Sequence, residues 1–345
     1  MRQSQIYLVE STEMLWLVVL LGVLMGVVGF GAIYQALATS RDRRRFPPPG
    51  KLVEVNGNNW HYQIMGKGHP TVIVDSGSGG SHLDWQLVQP EVAKFTRIFS
   101  YDRAGYGWSD FSSEPRTAEQ AVNELRQLLK EAEIEPPYVL VGMSFSGLFT
   151  RLFAYQYPEE VAGMVLVDVT HEKMYEETPT EWVELNQRLE KLLIYVLPII
   201  GRMGLFRLLV TFDYLPFAAG LFQKFPPSIQ PLAKAIYSQT QFGKTFAEES
   251  AAVSVNMKQV EQARKIKPFP EIPLFVLSSG KPDFGITQEV LEKLQELHAD
   301  LANESPQGVH IIADKSGHVI QLDDPELVID VIRQVVEKVH CHSFP

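Results

Sequence analysis

The spacing of apolar and polar positions divides the chain into three regimes. From Met14 to Tyr34 (MLWLVVLLGVLMGVVGFGAIY) no charge interrupts an apolar run long enough for a helix to cross a bilayer. Trp16 and Tyr34 lie near its ends, where amphipathic rings prefer the membrane interface. From Leu52 onward, short runs of β-formers alternate with helical periodicities. Leu52–Val55 and Trp60–Met65 predict two strands joined through the hairpin signal Asn56-Gly57. Further strands are predicted at Thr71–Asp75, Arg97–Tyr101, Tyr138–Val141, Val161–Asp168, Leu274–Ser279 and Val309–Ala313. Between them, Thr117–Glu133 places Ala121, Leu125, Leu128 and Leu129 on one helical face, and helices are also expected over Phe145–Tyr157, Thr287–Ala302 and Pro325–His340. A hairpin followed by repeated β-α units specifies the α/β class: a mostly parallel eight-stranded sheet flanked by helices.

The third regime, residues 171–267, contains no convincing strand. Its apolar stretch from Leu192 to Phe222 is interrupted by Pro198, Arg202, Arg207, Asp213 and Pro216, so it is not a second clean membrane span. It is expected to be a helical cap inserted between strands 6 and 7, roofing an apolar pocket. The predicted organisation is therefore an N-terminal anchor and Arg/Pro-rich linker (1–49), a core built from 50–170 and 268–345, and a cap (171–267). Phe46-Pro47-Pro48-Pro49-Gly50 is read as a stiff extended linker at the first boundary.

Charge and composition narrow the partners. A net charge of −10 disfavours nucleic acid. Cys341 is the single cysteine, so no intrachain disulfide can form. Ala36-Leu37-Ala38 resembles a signal-peptidase site, but the apolar run is too long for a signal peptide and its leading segment carries Glu10 and Glu13. An uncleaved single-pass anchor through residues 14–34 is expected. Arg41, Arg43, Arg44 and Arg45 behind it favour a cytoplasmic body by the positive-inside rule.

The candidate chemistry centres on Gly142-Met143-Ser144-Phe145-Ser146-Gly147. A strand ends, small residues flank one serine, and a helix starts. That is the layout of a nucleophile elbow, which lifts a serine Oγ clear of the sheet; a helix cap at Ser144 is the plainer alternative. Upstream lie Asp75-Ser76-Gly77-Ser78-Gly79-Gly80 after the third strand and Asp102-Arg103-Ala104-Gly105-Tyr106-Gly107-Trp108-Ser109 after the fourth. Downstream, Lys315-Ser316-Gly317-His318 follows the last strand.

These four stretches, in this order, resemble the α/β-hydrolase superfamily of esterases, lipases and dehalogenases across residues 50 to 340. The resemblance implies the α/β-hydrolase fold, Ser144 as nucleophile and His318 as general base. It implies an oxyanion hole from the N–H groups of Ser78 and Phe145, with Ser76 standing where relatives carry a histidine. Asp102 and Arg103 then belong to a structural turn. The acid has two candidate positions. Asp168 ends the strand before the cap, where haloalkane dehalogenases carry their acid; Asp283, in Gly280-Lys281-Pro282-Asp283, occupies the commoner place after the penultimate strand. Asp168 is favoured because it emerges directly from a strand. His82 and His171 are expected near the pocket mouth. No cofactor and no metal are implied. The expected activity is cleavage of a hydrophobic carboxylic ester; a hydrolase-like receptor or scaffold with little turnover is the alternative.

Overall fold

The computed structural model describes residues 2–343, with the side chains of 2–13, 216–218, 342 and 343 left aside. Helix α1 (Arg2–Arg45) precedes strands β1 (Lys51–Val55), β2 (Asn58–Met65) and β3 (Thr71–Asp75). A short helix α2 (Gln89–Val92), β4 (Ile98–Tyr101), α3 (Ala118–Glu131), β5 (Tyr138–Met143), α4 (Ser146–Gln156) and β6 (Val161–Val167) follow. Between β6 and β7 (Leu274–Ser279) the chain forms only helices: α5 (Met174–Glu177), α6 (Thr180–Arg202), α7 (Leu205–Thr211), α8 (Pro216–Lys224), α9 (Gln230–Tyr237) and α10 (Thr240–Ile266). Helix α11 (Gln288–Ala302), β8 (Gly308–Ala313), α12 (Ile320–Asp323) and α13 (Pro325–Ser343) complete it.

The eight strands form one sheet in the order β1-β2-β4-β3-β5-β6-β7-β8. The hairpin β1–β2 and the β2–β4 pair are antiparallel; every other pair is parallel. Every residue of β3, β5 and β7 is buried, as continuous apolar runs covered by helices on both faces must be. Helix α3 starts where the Thr117 hydroxyl accepts the Gln120 N–H, and it buries Val122, Leu125, Leu128 and Leu129 against one face. Helix α13 buries Val328, Val331, Ile332 and Val335 against the other. The carboxyl ends of β3, β5, β6, β7 and β8 thus open onto one rim, beneath the helices between β6 and β7.

The N-terminal segment differs from the sequence expectation in one respect. Helix α1 does not stop at the end of the apolar run but continues through the arginine cluster to Arg45. Residues 14–30 are exposed throughout, whereas Gln35, Ala38 and Asp42 form a buried stripe at helical spacing. Arg207 of α7 explains the stripe: its guanidinium donates to Gln35 Oε1 (2.9 Å), to Thr39 Oγ1 (3.2 Å) and to the Asp42 carboxylate. Gln35 in turn donates to the Ser238 carbonyl at 2.7 Å. Only Phe46 to Gly50 are non-helical, and even there the Trp108 indole N–H donates to the Phe46 carbonyl (3.1 Å). Helix α1 is docked on α6, α7, α9 and α10 rather than joined by a free linker.

Candidate active site

At the end of β5 the backbone turns sharply. Ser144 adopts φ = 53°, a left-handed conformation costing a non-glycine residue roughly 1–2 kcal/mol. Backbone bonds on both sides hold it there: Ser144 N–H donates to Val167 O (3.0 Å), and Ser144 O accepts from Thr170 N–H (3.0 Å) and Gly147 N–H (3.1 Å). Gly142 is required because a Cβ there would sit 2.5 Å from Thr150 Oγ1, and a Cβ on Gly147 would collide with Val169. Ser146, standing where a glycine is expected, is fully buried; its hydroxyl accepts the Met143 N–H (2.9 Å) and reaches the Asp75 carbonyl (2.9 Å). The departure from glycine thereby ties the turn to the end of β3.

Across the rim, His318 Nε2 lies 2.9 Å from Ser144 Oγ and His318 Nδ1 lies 2.7 Å from Asp168 Oδ2. Asp168, immediately past β6, also has positive φ (45°), a region that aspartate tolerates better than most residues. Its second oxygen accepts the Ser279 N–H at 2.7 Å. Burial pushes the Asp168 carboxyl up, but the hydrogen bond and charge of His318, the charge of His298 and the Ser279 amide outweigh it, so the group is held below its ordinary range. The imidazole edge rests on Phe284, with ring centroids 5.6 Å apart at 84°. Behind Asp168, the buried His298 bridges the Val169 carbonyl and Ser278 Oγ, each at 2.7 Å, and Ser278 Oγ also meets His310 Nε2 at 2.7 Å. Burial lowers the pKa of both histidines. Neither Ser278 nor His298 carries a motif that marks it in the sequence.

Asp283 makes no such bond. It accepts from Lys224 Nζ (3.1 Å) and from the Phe284 N–H (2.8 Å), while packing against Gly317. The rival acid is close to the histidine loop, yet its charge is engaged by a lysine of α8.

The loop after β3 passes directly beside Ser144: a Cβ on Gly77 would stand 3.0 Å from Ser144 Cβ. Among the described residues, neither the Ser78 N–H nor the Phe145 N–H has a protein acceptor. Ser76 donates its hydroxyl to the Ser81 carbonyl (2.7 Å), closing the loop. The buried Arg103 grips it from behind, donating to Asp75 Oδ1 (2.6 Å), Gly77 O (2.9 Å) and the Ser76 carbonyl. Its remaining face meets Glu249 of α10, with Nε 2.9 Å from Oε1. Glu249 Oε2 also accepts from Ser78 Oγ (2.8 Å) and Tyr106 OH (2.9 Å). Burial alone would lower the Arg103 pKa, but the Glu249 and Asp75 carboxylates raise it well above its ordinary value. Phe242 and Phe246 lie over Gly79, and Phe242 stacks on Phe206 with centroids 5.7 Å apart. The rim is thus roofed by aromatic rings.

His82 and His171 are not at a pocket mouth; both are buried. His82 and His61 each direct Nδ1 at Asp102 (3.0 and 2.8 Å), which also accepts the N–H groups of His82 and Trp108. Their three donor atoms could in principle hold a cation, but four N–H groups already occupy the carboxylate, so the trio serves as a hydrogen-bonded brace for the Asp102 turn. His171 accepts the Lys173 N–H (2.9 Å) and burial pushes its pKa down to about 3.

The comparison with known families is decisive for kinship: the model of the "Alpha/beta hydrolase family" matches residues 72–331. The chain belongs to the alpha/beta hydrolase family. Among its relatives, this hydrolase is 27% identical over 280 residues to the uncharacterized protein YqjL of Bacillus subtilis (strain 168), covering 81% of this chain and 88% of that one. It is similar in fold to a thermophilic esterase from Thermogutta terrifontis (TM-score 0.61, 21% identity, 84% of this chain and 100% of the other). It is likewise similar to the enol-lactonase from Burkholderia xenovorans LB400 (TM-score 0.60, 17% identity, 83% and 100%). These likenesses extend over the whole of each of these two solved structures and show a shared fold.

Proposed function

We propose that this chain is a membrane-anchored serine hydrolase that cleaves hydrophobic carboxylic esters through an acyl-enzyme. The observation that carries the reading is the continuous hydrogen-bonded line from Ser144 Oγ to His318 Nε2 (2.9 Å) and from His318 Nδ1 to Asp168 (2.7 Å). In this reading His318 takes the Ser144 proton as Oγ adds to the ester carbonyl, and Asp168 stabilises the imidazolium that forms. The developing oxyanion is held by the Ser78 and Phe145 N–H groups, each worth about 3–4 kcal/mol in favourable cases. Collapse expels the alcohol, which receives the proton from His318. A water molecule, deprotonated by the same imidazole, then cleaves the acyl-enzyme, releases the acid and restores Ser144.

The aromatic roof of Phe206, Phe242 and Phe246 favours an apolar acyl or alkyl group. Residues 14–34 of α1, uncharged throughout and exposed as far as Phe30, are assigned to the bilayer, and the following arginines assign the body to the cytoplasm. The test is a panel of p-nitrophenyl esters of graded acyl length, given to full-length protein in detergent micelles. Saturable turnover that disappears in Ser144→Ala supports the proposal. Absence of turnover across the panel in a folded protein returns the chain to the ligand-binding alternative.

A further inference from the structure

The cap carries a face that its own packing does not explain. Helices α6 and α7 meet at a 90° bend, and both expose large apolar side chains. On α6 these include Leu192 (56% exposed), Tyr195 (73%) and Ile199 (59%); on and just beyond α7 they include Leu208 (38%), Phe212 (62%) and Tyr214 (71%). Contiguous exposed apolar surface of this kind marks an interaction site. The position of the face identifies the occupant. Gly31 of α1 packs against Met203 in the bend, and Tyr34 packs against Gly204. The bend therefore sits at the level where the exposed apolar part of α1 ends and its buried stripe begins. Any leaflet surrounding residues 14–34 must reach the α6–α7 corner. Lys191 and Arg202 are exposed along α6, where long cationic side chains can reach headgroups, and Arg188 beside them is paired with Glu184 at 3.0 Å.

We infer that the α6–α7 face lies in the headgroup and upper acyl region of the leaflet that α1 leaves, so that the protein is both spanned and seated. This rests on the assignment of α1 as a membrane span. The face behaves as an interfacial amphipathic surface. It sits one helix away from the chemistry, because Phe206 of α7 points inward and stacks on Phe242 above Gly79. A substrate dissolved in lipid would meet the roof of the site without crossing water.

The test uses the full chain in a Cys341→Ser background, since Cys341 is its single cysteine. Single cysteines at Leu24, Leu192, Phe212 and Glu292 are labelled with an environment-sensitive fluorophore and reconstituted into phosphatidylcholine vesicles containing nitroxide lipids. Leu192 and Phe212 should be quenched, more by nitroxides near the headgroup than by those deep in the chain. Leu24, mid-span, should show the reverse order, and the exposed Glu292 on α11 should not be quenched. Quenching at Leu24 without quenching at Leu192 and Phe212 overturns the seated face and leaves the span intact. Emission at those two sites that responds to protein concentration rather than to nitroxide lipid assigns the face to a second copy instead. An unquenched Leu24 overturns the span, and the inference with it.

Discussion

Arg103 Nε donates to Glu249 Oε1 at 2.9 Å, joining the loop beside Ser144 to helix α10 through a buried ion pair. All three groups that bond to Glu249 bear on that loop: Arg103 grips its carbonyls, Ser78 belongs to it, and Tyr106 backs Arg103. A cap residue thus sets the shape of the surface on which the oxyanion is proposed to rest.

Glu249→Gln keeps an acceptor but removes the charge, leaving Arg103 with Asp75 as its one carboxylate partner. We expect kcat to fall about 10–100-fold with KM changed less, because the donors would be misplaced for the transition state. Removing one member of a buried pair is destabilising by ~3 kcal/mol or more, so the melting temperature should fall as well. Steady-state kinetics beside thermal melts separate the effects. A lowered melting temperature with unchanged kcat would make Glu249 a brace for the cap alone.

Asp168→Asn should lower kcat by about 10⁴ while the fold survives, since the imidazole would lose its orienting anion. Asp283→Asn should leave kcat within about five-fold, because a partly exposed pair such as that with Lys224 contributes ~0–1 kcal/mol. Each variant is checked by thermal melting before its kcat is measured. The reverse ranking would move the acid to Asp283.

Asp84 supplies a pH signature outside the site. It is buried, and burial pushes its pKa from the ordinary 3.8 up to about 6, against the hydrogen bonds from the Tyr237 hydroxyl and the Ser81 N–H. A carboxyl whose folded pKa is raised binds more protons folded than unfolded. Its contribution is therefore full below about pH 4 and is lost as pH rises through about 6. Asp84→Asn removes the penalty and should stabilise the protein by ~2–3 kcal/mol at pH 8, with the two proteins converging near pH 4. Urea unfolding at a series of pH values measures the gap. A constant gap across the series would show that the carboxyl does not titrate in this range.

The core elements were legible because local pattern and tertiary burial agree: β3, β5 and β7 are apolar at nearly every position and are buried at every one. The serine turn was legible because its backbone demands small residues at Gly142 and Gly147, whatever surrounds it. The choice between Asp168 and Asp283 stayed open in the sequence because both follow neighbouring strands. What distinguishes them is a lysine 59 positions away and a backbone amide on the next strand. Glu249 lay beyond sequence reasoning for the same cause: its partner is 146 positions distant, and a glutamate within a helix ordinarily faces solvent. The docking of α1 is not legible in the sequence because Gln35, Ala38 and Asp42 form a stripe too polar to look like a packing face. It becomes one only against Arg207.

Covalent labelling separates Ser144, the proposed nucleophile, from every other serine of the chain. A fluorophosphonate probe should phosphonylate the protein once, with loss of fluoride, and peptide mass spectrometry should place the adduct on Ser144. Labelling should vanish in Ser144→Ala and slow by about 10³-fold or more in His318→Ala, which removes the base. An adduct on Ser146, or labelling undiminished in Ser144→Ala, would mean that Ser144 is not the nucleophile.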